Sequence, residues 1–389
     1  MVSSPAMAFD IAFARRQTPG CASVAHLNNA GAALQTATTF DVVTSHLKLE
    51  AAFGGYEAAV MAASGLENVR TSAARLLNAA PSEVALMTSD SHAFMKAFWG
   101  LVVAGWFNKG DVIVVDRLSY TSHQLAFLQA RRMLQLRIEV CDDLLDIPSD
   151  ARLVAYTLIG THSGKVHDVS GVSDRTRSLG IPFFLDGCQA VGQRVVDVES
   201  LGCDVLTATG RKWLRGPRGT GLLYVRQQWI AQMEPPGIDG GGALWSDTDS
   251  YELASDARRF EEFETSFACR LGLGAAIDQA LDTGIPAIAA RVSDLAEELR
   301  AGLQGKQGVT LQDGDDDRCG IVTFTVDGVD PVDIQRAAAA KGVNVSVSSA
   351  PFARLDMDRR GLAQLVRASP HAYNSQDELG QLLDVISAS

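Results

Sequence analysis

Three strand-like apolar runs in this sequence are each followed by a short polar segment whose side chains could do chemistry. FFL is followed by DGCQ at 186–189, VLTA by TGRK at 209–212, and VAYTLIG by THSG at 161–164. In an open parallel sheet, ligands bind outside the carboxyl ends of the strands. These three segments are therefore the first candidates for a functional site.

Lys212 lies in RKWLRGPRGTG, where glycines and a proline exclude a helix and three arginines surround one lysine. Positive neighbours favour the uncharged amine of a lysine, which is the form that imine formation needs. The alternative is an ordinary solvated basic loop. Asp186 alone is equally ambiguous, because a carboxylate at a strand end either serves a site or caps the next helix.

Taken together, Asp186 and Lys212 are more informative. An acid that closes one strand and a lysine 26 residues later, after the next strand, is the arrangement that pyridoxal phosphate requires. The carboxylate keeps the pyridine nitrogen protonated so that the ring can accept electrons, and the lysine holds the cofactor as an imine. The pair therefore predicts an enzyme with this cofactor.

The segments LDGCQAVGQ at 185–193 and TATGRKWLRGPRGTGLLYV at 207–225 resemble the class V aminotransferase family, in its cysteine desulfurase-like branch of fold-type I pyridoxal phosphate enzymes. The resemblance extends from HLNNAG near the amino terminus to VRASPHAYN near the carboxyl terminus. It implies that Lys212 is the Schiff-base lysine, that Asp186 pairs with the pyridine nitrogen and that Gln189 contacts the phenolic oxygen. It also implies phosphate contacts by Thr209 and Arg211.

Two further segments match the cofactor site of this family. TSDSHAF at 88–94 resembles its phosphate-binding turn at a helix N-terminus, with Ser91 and His92 as candidates. The alternative is a plain N-cap. In DRLSYTSHQ, Tyr120 falls where relatives place a ring that stacks on the cofactor, whereas His123 is expected on the surface.

The resemblance also implies which residues bind the substrate. Arg367 in VRAS is expected to hold the α-carboxylate of an amino-acid substrate through two hydrogen bonds. Asn29 and Thr161 are expected to complete this side of the site. GIDGGGALW at 237–245, with RRFEEFETS at 258–266, resembles the segment that reaches the neighbouring subunit's site, which implies a homodimer.

The stretch 342–369 bears on the reaction. Cysteine desulfurases need a nucleophilic cysteine on a mobile loop before the carboxylate-binding arginine, and this stretch contains none. Cys319 lies in another element, and the hydroxyls of Ser348 and Ser349 are far weaker nucleophiles than a thiolate. The sequence therefore predicts an enzyme that is not a persulfide-forming cysteine desulfurase.

Within the family, SVSSAPFARLDMDRRGL and VRASPHAYN are most similar to the carbon–sulfur lyase of ergothioneine biosynthesis and to the enzymes that process S-glycosylated cysteine in lincosamide antibiotic pathways. The expected reaction is β-elimination from an S-substituted L-cysteine in secondary metabolism, giving thiol, pyruvate and ammonia. Three alternatives stay open: a decarboxylating oxidative deaminase that yields an S-linked acetaldehyde, a class V aminotransferase or epimerase, and a catalytically idle ligand-binding relative.

Strands that alternate with helical segments predict an α/β fold with a largely parallel sheet. The strand-like runs include 112–115, 183–186, 205–209 and 221–225, and 234–251 is expected to be a long loop. The resemblance implies a large cofactor-binding domain with a seven-stranded sheet at 30–260. A small α+β domain is expected at 261–389, joined by residues 1–29.

Composition excludes several classes of protein. The 34 lysines and arginines against 46 acidic residues give a net charge of −12, which argues against a nucleic-acid-binding face. The six cysteines show no CxxC pair and no zinc-ligand spacing, so we expect no metal site and a reducing compartment. The first sixteen residues do not resemble a signal peptide and no apolar run is long enough for a membrane span. A cytoplasmic protein with no membrane partner is expected.

Overall fold

The computed structural model describes residues 9–314 and 317–388. The strands, in chain order, are β1 (Ala25–His26), β2 (Val84–Met87), β3 (Val112–Val115), β4 (Arg137–Val140), β5 (Ala151–Thr157), β6 (Phe183–Asp186), β7 (Val205–Thr209), β8 (Gly221–Val225), β9 (Ala243–Asp247), β10 (Ser250–Leu253), β11 (Val309–Leu311), β12 (Val322–Val326), β13 (Val343–Asn344), β14 (Ser346–Ser349) and β15 (Gln364–Ala368). The α-helices are α1 (Ile11–Arg16), α2 (Ala37–Phe53), α3 (Gly55–Met61), α4 (Ala63–Leu77), α5 (Asp90–Val103), α6 (Thr121–Leu134), α7 (Val172–Leu179), α8 (Val198–Leu201), α9 (Gln227–Ile230), α10 (Phe267–Thr283), α11 (Ile285–Gln304), α12 (Pro331–Ala340), α13 (Arg354–Met357) and α14 (Gln376–Ala388).

A seven-stranded sheet forms the centre of the large domain, in the order β2-β8-β7-β6-β5-β3-β4. The strands from β7 to β4 are parallel to their neighbours, whereas β8 runs antiparallel to both β7 and β2. The α/β fold with a mainly parallel seven-stranded sheet is thereby confirmed.

Both faces of this sheet are buried. Along β3, Val112 and Val114 belong to one apolar core, and Ile113 and Val115 belong to the core on the opposite face. Helices cover each face, so successive residues of a strand are all buried although their side chains point in opposite directions. This explains why the strands are continuous apolar runs without polar alternation.

A four-stranded antiparallel sheet, in the order β11-β12-β15-β14, forms the second domain. A separate apolar core lies between this sheet and the helices α11, α12 and α14. β1 pairs in parallel with β13, so Ala25–His26 belongs with the second domain. The helix α10 packs against α2 and α4 of the large domain. We therefore propose a domain boundary after Thr283 in place of the expected boundary at 261.

The expectation of a long loop at 234–251 is wrong, because β9 and β10 form an antiparallel hairpin there. Its side chains are mostly exposed, so no buried apolar run marks the strands in the sequence. Among the described helices, none has the length and apolar character needed to cross a bilayer.

Candidate active site

A cavity of about 250 Å³ lies where the large sheet meets the second domain. β5, β6 and β7 are parallel neighbours, so their carboxyl ends meet on its floor. The side of the second domain is formed by β14 and β15. The candidate residues that line the cavity are Ser91, Tyr120, Thr161, Asp186, Gln189, Thr209, Arg211, Lys212 and Arg367.

Asp186 is the last residue of β6, and its carboxylate is buried at the bottom of the cavity. Its Oδ1 accepts a hydrogen bond of 2.8 Å from the backbone N–H of Cys188. Burial, followed by the negative charge of Asp90, raises the pKa of Asp186 to about 6. A cationic N–H facing this carboxylate would offset the cost of its burial.

Lys212 lies in the turn after β7, and its Nζ is 3.2 Å from the Sγ of Cys188. This turn packs directly on Gly192, whose φ is +102° and where a Cβ atom would approach the backbone carbon of Trp213 to 2.5 Å. The glycine thus permits the close approach that places the lysine over the strand ends.

Of the three arginines expected around Lys212, only one lines the cavity with it. Arg211 lines the cavity, but Arg215 donates a hydrogen bond of 2.8 Å to the carbonyl of Leu34 and lies over the ring of Tyr373. Arg218 follows in the same loop and does not line the cavity. Two of the three arginines therefore serve the loop rather than the lysine amine.

Gln189 is fixed on both ends of its carboxamide. Its Nε2 donates a hydrogen bond of 2.8 Å to the hydroxyl of Thr161, and its Oε1 accepts one of 2.9 Å from the indole of Trp213. A carboxamide held at both ends keeps one orientation, which suits the positioning of a ligand oxygen.

Arg367 is a buried cation on β15, with 8% of its surface exposed. Its Nη1 donates to the hydroxyl of Thr161 at 2.9 Å, and its Nε makes no hydrogen bond to any described residue. Burial lowers the pKa of Arg367 to about 10. A buried guanidinium with an unsatisfied donor at a cavity indicates a place for an anionic ligand group.

The phosphate-binding turn is expected at the start of α5. Ser89 caps the helix, since its hydroxyl accepts a hydrogen bond of 3.1 Å from the backbone N–H of His92. Gly221 of β8 lets this turn approach the sheet, because a Cβ atom there would lie 2.6 Å from the carbonyl carbon of Ser89. The first N–H groups of the helix and the Ser91 side chain thus face the cavity, where they can bind an anion.

Two candidate side chains lie outside the cavity lining. The His92 ring contacts Thr88 Oγ1 at 2.9 Å and Glu262 Oε1 at 3.1 Å, so this residue serves the turn through its backbone. Asn29 is fully buried, accepts a hydrogen bond from the Tyr373 hydroxyl and donates one of 2.7 Å to the carbonyl of Ser369. Its carboxamide therefore joins two chain segments and does not line the cavity, and its role towards the substrate stays a prediction.

The expectation that His123 lies on the surface is wrong, because only 4% of its surface is exposed. Its ring stacks on Phe94, with centroids 3.8 Å apart, and its Nδ1 lies 3.8 Å from Asp186 Oδ2. The sequence signal was its position three residues after Tyr120, within the first turn of α6. Cys188, His162 and Phe352 also line the cavity and were not among the candidates.

These side chains fit the parts of pyridoxal phosphate. A buried carboxylate is available for the ring nitrogen, an aromatic side chain for the ring face and a carboxamide for the phenolic oxygen. The N-terminus of α5 and Arg211 offer donors for the phosphate, whereas the hydroxyl of Thr209 donates to the carbonyl of Thr220 at 3.2 Å. Lys212 supplies the amine.

Comparisons with curated proteins find relatives along most of the chain. The probable cysteine desulfurase of Methanothermobacter thermautotrophicus is 29% identical over 350 residues, which cover 86% of this chain and 86% of the relative. The probable hercynylcysteine sulfoxide lyase of Mycobacterium tuberculosis is 28% identical over 376 residues, which cover 94% of this chain and 90% of the relative. Among solved structures, the cysteine desulfurase of Thermococcus onnurineus superposes with a TM-score of 0.90 at 24% identity, covering 100% of this chain and 99% of that one.

These relatives correct one expectation. The conclusion that this chain is not a persulfide-forming cysteine desulfurase is wrong, since both the sequence relatives and the structural neighbours include cysteine desulfurases. That conclusion considered only the stretch 342–369 and Cys319 as sources of a nucleophilic thiol. The structure places another thiol, Cys188, inside the cavity beside Lys212.

The model of the family described as aminotransferase class-V matches residues 25–382, which is nearly the whole described chain. A solved neighbour of the same fold carries pyridoxal phosphate, and the cavity described above holds a group for each part of it. Pyridoxal phosphate is the cofactor, and this chain belongs to the class V aminotransferase family.

Proposed function

We propose that this enzyme cleaves the carbon–sulfur bond of an S-substituted L-cysteine by β-elimination. One substrate and one water give a thiol, pyruvate and ammonium. The observation that carries the proposal is the buried Arg367, which lines the cavity that also contains Lys212 and whose Nε makes no hydrogen bond to any described residue. Membership of the family supports the chemistry, and the arginine supports a substrate with a carboxylate, such as an amino acid.

Arg367 is suited to the α-carboxylate of such a substrate. The planar guanidinium presents two parallel N–H groups to a carboxylate, and burial strengthens the pairing. No described carboxylate forms an ion pair with this arginine, so the substrate would supply the missing negative charge. Its bond to Thr161 fixes the plane in which the carboxylate must bind.

Lys212 is the base that we assign to the α-proton. Bound pyridoxal phosphate supplies an electron sink that weakens the bonds at the α-carbon. The Lys212 amine lies in the cavity, where it could take the proton from this carbon. Tyr120 keeps its proton at neutral pH, because burial raises the pKa of its phenol.

Phe352 could border a substituent on sulfur, because it lines the cavity and half of its surface is exposed. His162 and Ser348 line the same cavity but are buried. The ring of Phe352 lies 6.5 Å from that of Tyr120, at an angle of 14°. The relative named as a probable hercynylcysteine sulfoxide lyase supports a substrate whose sulfur carries a large group.

A second candidate is sulfur transfer from L-cysteine to a protein thiol. The names of the desulfurase relatives and the position of Cys188 in the cavity favour it. A decarboxylating oxidative deamination and a transamination or epimerization would use the same carboxylate and lysine, so they are distinguished by their products. The role in a lincosamide-like secondary pathway and the cytoplasmic location stay predictions.

Product analysis of the holoenzyme tests the proposal. L-Cysteine, S-methyl-L-cysteine, an S-aryl-L-cysteine and its sulfoxide are each supplied, with the K212A variant as the matched control. Equal amounts of pyruvate, ammonia and the substituent's thiol from an S-substituted substrate support elimination. Turnover of L-cysteine alone, with a persulfide on the protein, establishes sulfur transfer instead. Carbon dioxide with an S-linked aldehyde and oxygen consumption establishes oxidative deamination.

We also propose that the enzyme is a homodimer. The hairpin of β9 and β10 exposes Leu244, Trp245 and Tyr251, with 77% of the Trp245 surface in solvent. A two-stranded hairpin of this kind has little stability of its own. Near its base, Phe263 and Tyr56 form a further exposed aromatic pair with ring centroids 6.5 Å apart. Such a surface is typical of a subunit interface.

A further inference from the structure

Asp90, His123 and Asp186 form a buried cluster beneath the cavity. His123 Nε2 lies 3.3 Å from Asp90 Oδ2, and its Nδ1 lies 3.8 Å from Asp186 Oδ2. The imidazole thus stands between two carboxylates, one at each ring nitrogen. Asp186 is the carboxylate assigned to the cofactor's ring nitrogen, whereas Asp90 and His123 have been given no role towards the cofactor so far.

Two helices hold this cluster in place. α5 provides Asp90 in its first turn and Phe94 one turn later, and the Phe94 ring lies flat against the imidazole at an angle of 15°. α6 provides Tyr120 at its N-terminus and His123 within its first turn. The stacking fixes the plane of the imidazole, so its two nitrogens stay beside the two carboxylates. Nε2 makes no hydrogen bond to any described residue in this arrangement.

The charges of the cluster depend on one another. Burial alone would lower the pKa of His123, but Asp90, followed by Asp186 and Asp116, raises it above its ordinary value. Burial opposes ionisation of Asp90, yet His123 brings the pKa of Asp90 below its ordinary value. Each member of the pair therefore favours the charged form of the other. Lys212 and Cys188 are the other titratable groups that face Asp186 or its neighbours.

We propose that Asp90 and His123 form a relay behind Asp186 that keeps the cofactor's ring nitrogen protonated. An imidazolium donates from both nitrogens, so it can serve Asp90 and Asp186 together. A neutral imidazole carries one N–H and can serve only one of them. With the imidazolium in place, Asp186 stays a carboxylate and accepts the proton of the ring nitrogen. Without Asp90, His123 loses the negative charge that favours its protonation, and a neutral histidine gives Asp186 no neighbouring positive charge.

The relay is tested by cofactor binding, independently of activity. Dissociation constants of the apoenzyme are measured for pyridoxal phosphate and for an analogue in which a C–H replaces the ring nitrogen. D90N and H123Q should each weaken binding of pyridoxal phosphate by about tenfold, the equivalent of one pKa unit, and leave the analogue within about twofold. S91A is the matched control, because loss of a phosphate contact should weaken both ligands by the same factor.

The ¹⁵N chemical shift of the labelled cofactor's ring nitrogen gives a second readout. The wild-type enzyme should show a protonated nitrogen, and both relay variants should shift it towards the unprotonated value. Circular dichroism verifies that the variants fold, and if D90N does not, H123Q carries the comparison. Equal losses for both ligands, or an unchanged ring-nitrogen shift in a folded variant, would overturn the relay.

Discussion

Arg367 Nη1 donates a hydrogen bond of 2.9 Å to the hydroxyl of Thr161. The same oxygen accepts a hydrogen bond of 2.8 Å from Gln189 Nε2. A hydroxyl has two lone pairs, so both are used and its own proton is left to donate. Thr161 thereby links the residue assigned to the substrate carboxylate with the residue assigned to the cofactor's phenolic oxygen.

Replacing Thr161 by valine tests this link. T161V keeps the shape of the side chain but removes the hydroxyl that accepts from Arg367 Nη1 and Gln189 Nε2. Each nitrogen keeps one backbone acceptor, the carbonyl of Thr161 at 3.1 Å or that of Ala30 at 3.2 Å. One N–H of each is left unpaired, at a cost of about 1 kcal/mol each. We expect KM for the amino-acid substrate to rise about tenfold or more, with cofactor still bound. T161S retains the oxygen and should behave nearly as wild type in the same steady-state assay. Equal kinetics for the serine and valine variants would show that the hydroxyl does not position Arg367.

Removing the guanidinium of Arg367 should act mainly on substrate recognition. A buried carboxylate partner is worth about 2–5 kcal/mol, so R367A should weaken substrate binding by well over tenfold. R367K should be almost as poor, because an ammonium cannot replace the two parallel N–H groups. Substrate dissociation constants are obtained from the change in the cofactor's absorption on titration. Wild-type affinity in R367K would assign the carboxylate to another residue.

Lys212 should be the residue that bears the cofactor. In K212A, borohydride should no longer fix cofactor to the chain, and the visible absorption band of the lysine-bound cofactor should be lost. Peptide mass spectrometry of the reduced wild-type enzyme should find the pyridoxyl group on Lys212. A label on any other lysine would contradict the assignment. K165A is a control, since Lys165 lies outside the cavity lining. The K165A enzyme should still be labelled on Lys212.

The sequence predicted strands most reliably where burial on both faces makes a strand a continuous apolar run. The runs at 112–115, 183–186, 205–209 and 221–225 coincide with β3, β6, β7 and β8. These strands are covered on both faces, so their residues are mostly apolar. Their polar residues, Asp186 in β6 and Thr207 and Thr209 in β7, lie towards the carboxyl ends. The hairpin strand β9 was missed for the opposite reason, since it is exposed and has no apolar run.

The sequence could predict those cavity residues that directly follow a strand, because the strand ends of a parallel sheet lie side by side. Asp186 and Lys212 follow parallel neighbours and therefore meet there. The position of His123 depends instead on how α5 packs against α6, which no spacing within one segment reveals. Asn29 lies close to the site along the chain, but Ser369 and Tyr373 engage its carboxamide from the second domain. Such long-range contacts decide which polar residues face a ligand.

The exposed hairpin should be required for dimer formation. Trp245 presents an aromatic surface to solvent, so W245K should place a charge in the interface and raise the dimer dissociation constant by at least about tenfold. V195K is the matched control, because Val195 is similarly exposed but lies outside the hairpin. Sedimentation equilibrium at several protein concentrations measures both. A dimer of unchanged strength in W245K would mean that the hairpin does not form the interface.

His371 should make the fold sensitive to acid. Its Nε2 lies 3.0 Å from the carbonyl of Trp213, while its Nδ1 accepts the backbone N–H of Ala372 at 2.9 Å, so the ring is neutral with its proton on Nε2. Burial, followed by the charge of Arg215, lowers the pKa of His371 to about 3. Between this value and about 6.5 the unfolded chain binds the extra proton, so the free energy of unfolding falls as the pH falls, by at most about 1.4 kcal/mol per pH unit.

The H371Q variant can keep both hydrogen bonds without a titrating group, because its carboxamide donates through Nε2 and accepts through Oε1. It should lose stability at neutral pH through weaker packing between Trp213 and Tyr373, on which the imidazole stacks. From pH 7 to pH 5 its free energy of unfolding, obtained from urea titrations, should fall less steeply than that of the wild type. The other buried histidines titrate in both proteins and cancel in the difference. Parallel pH profiles would show that the proton responsible for acid sensitivity binds elsewhere.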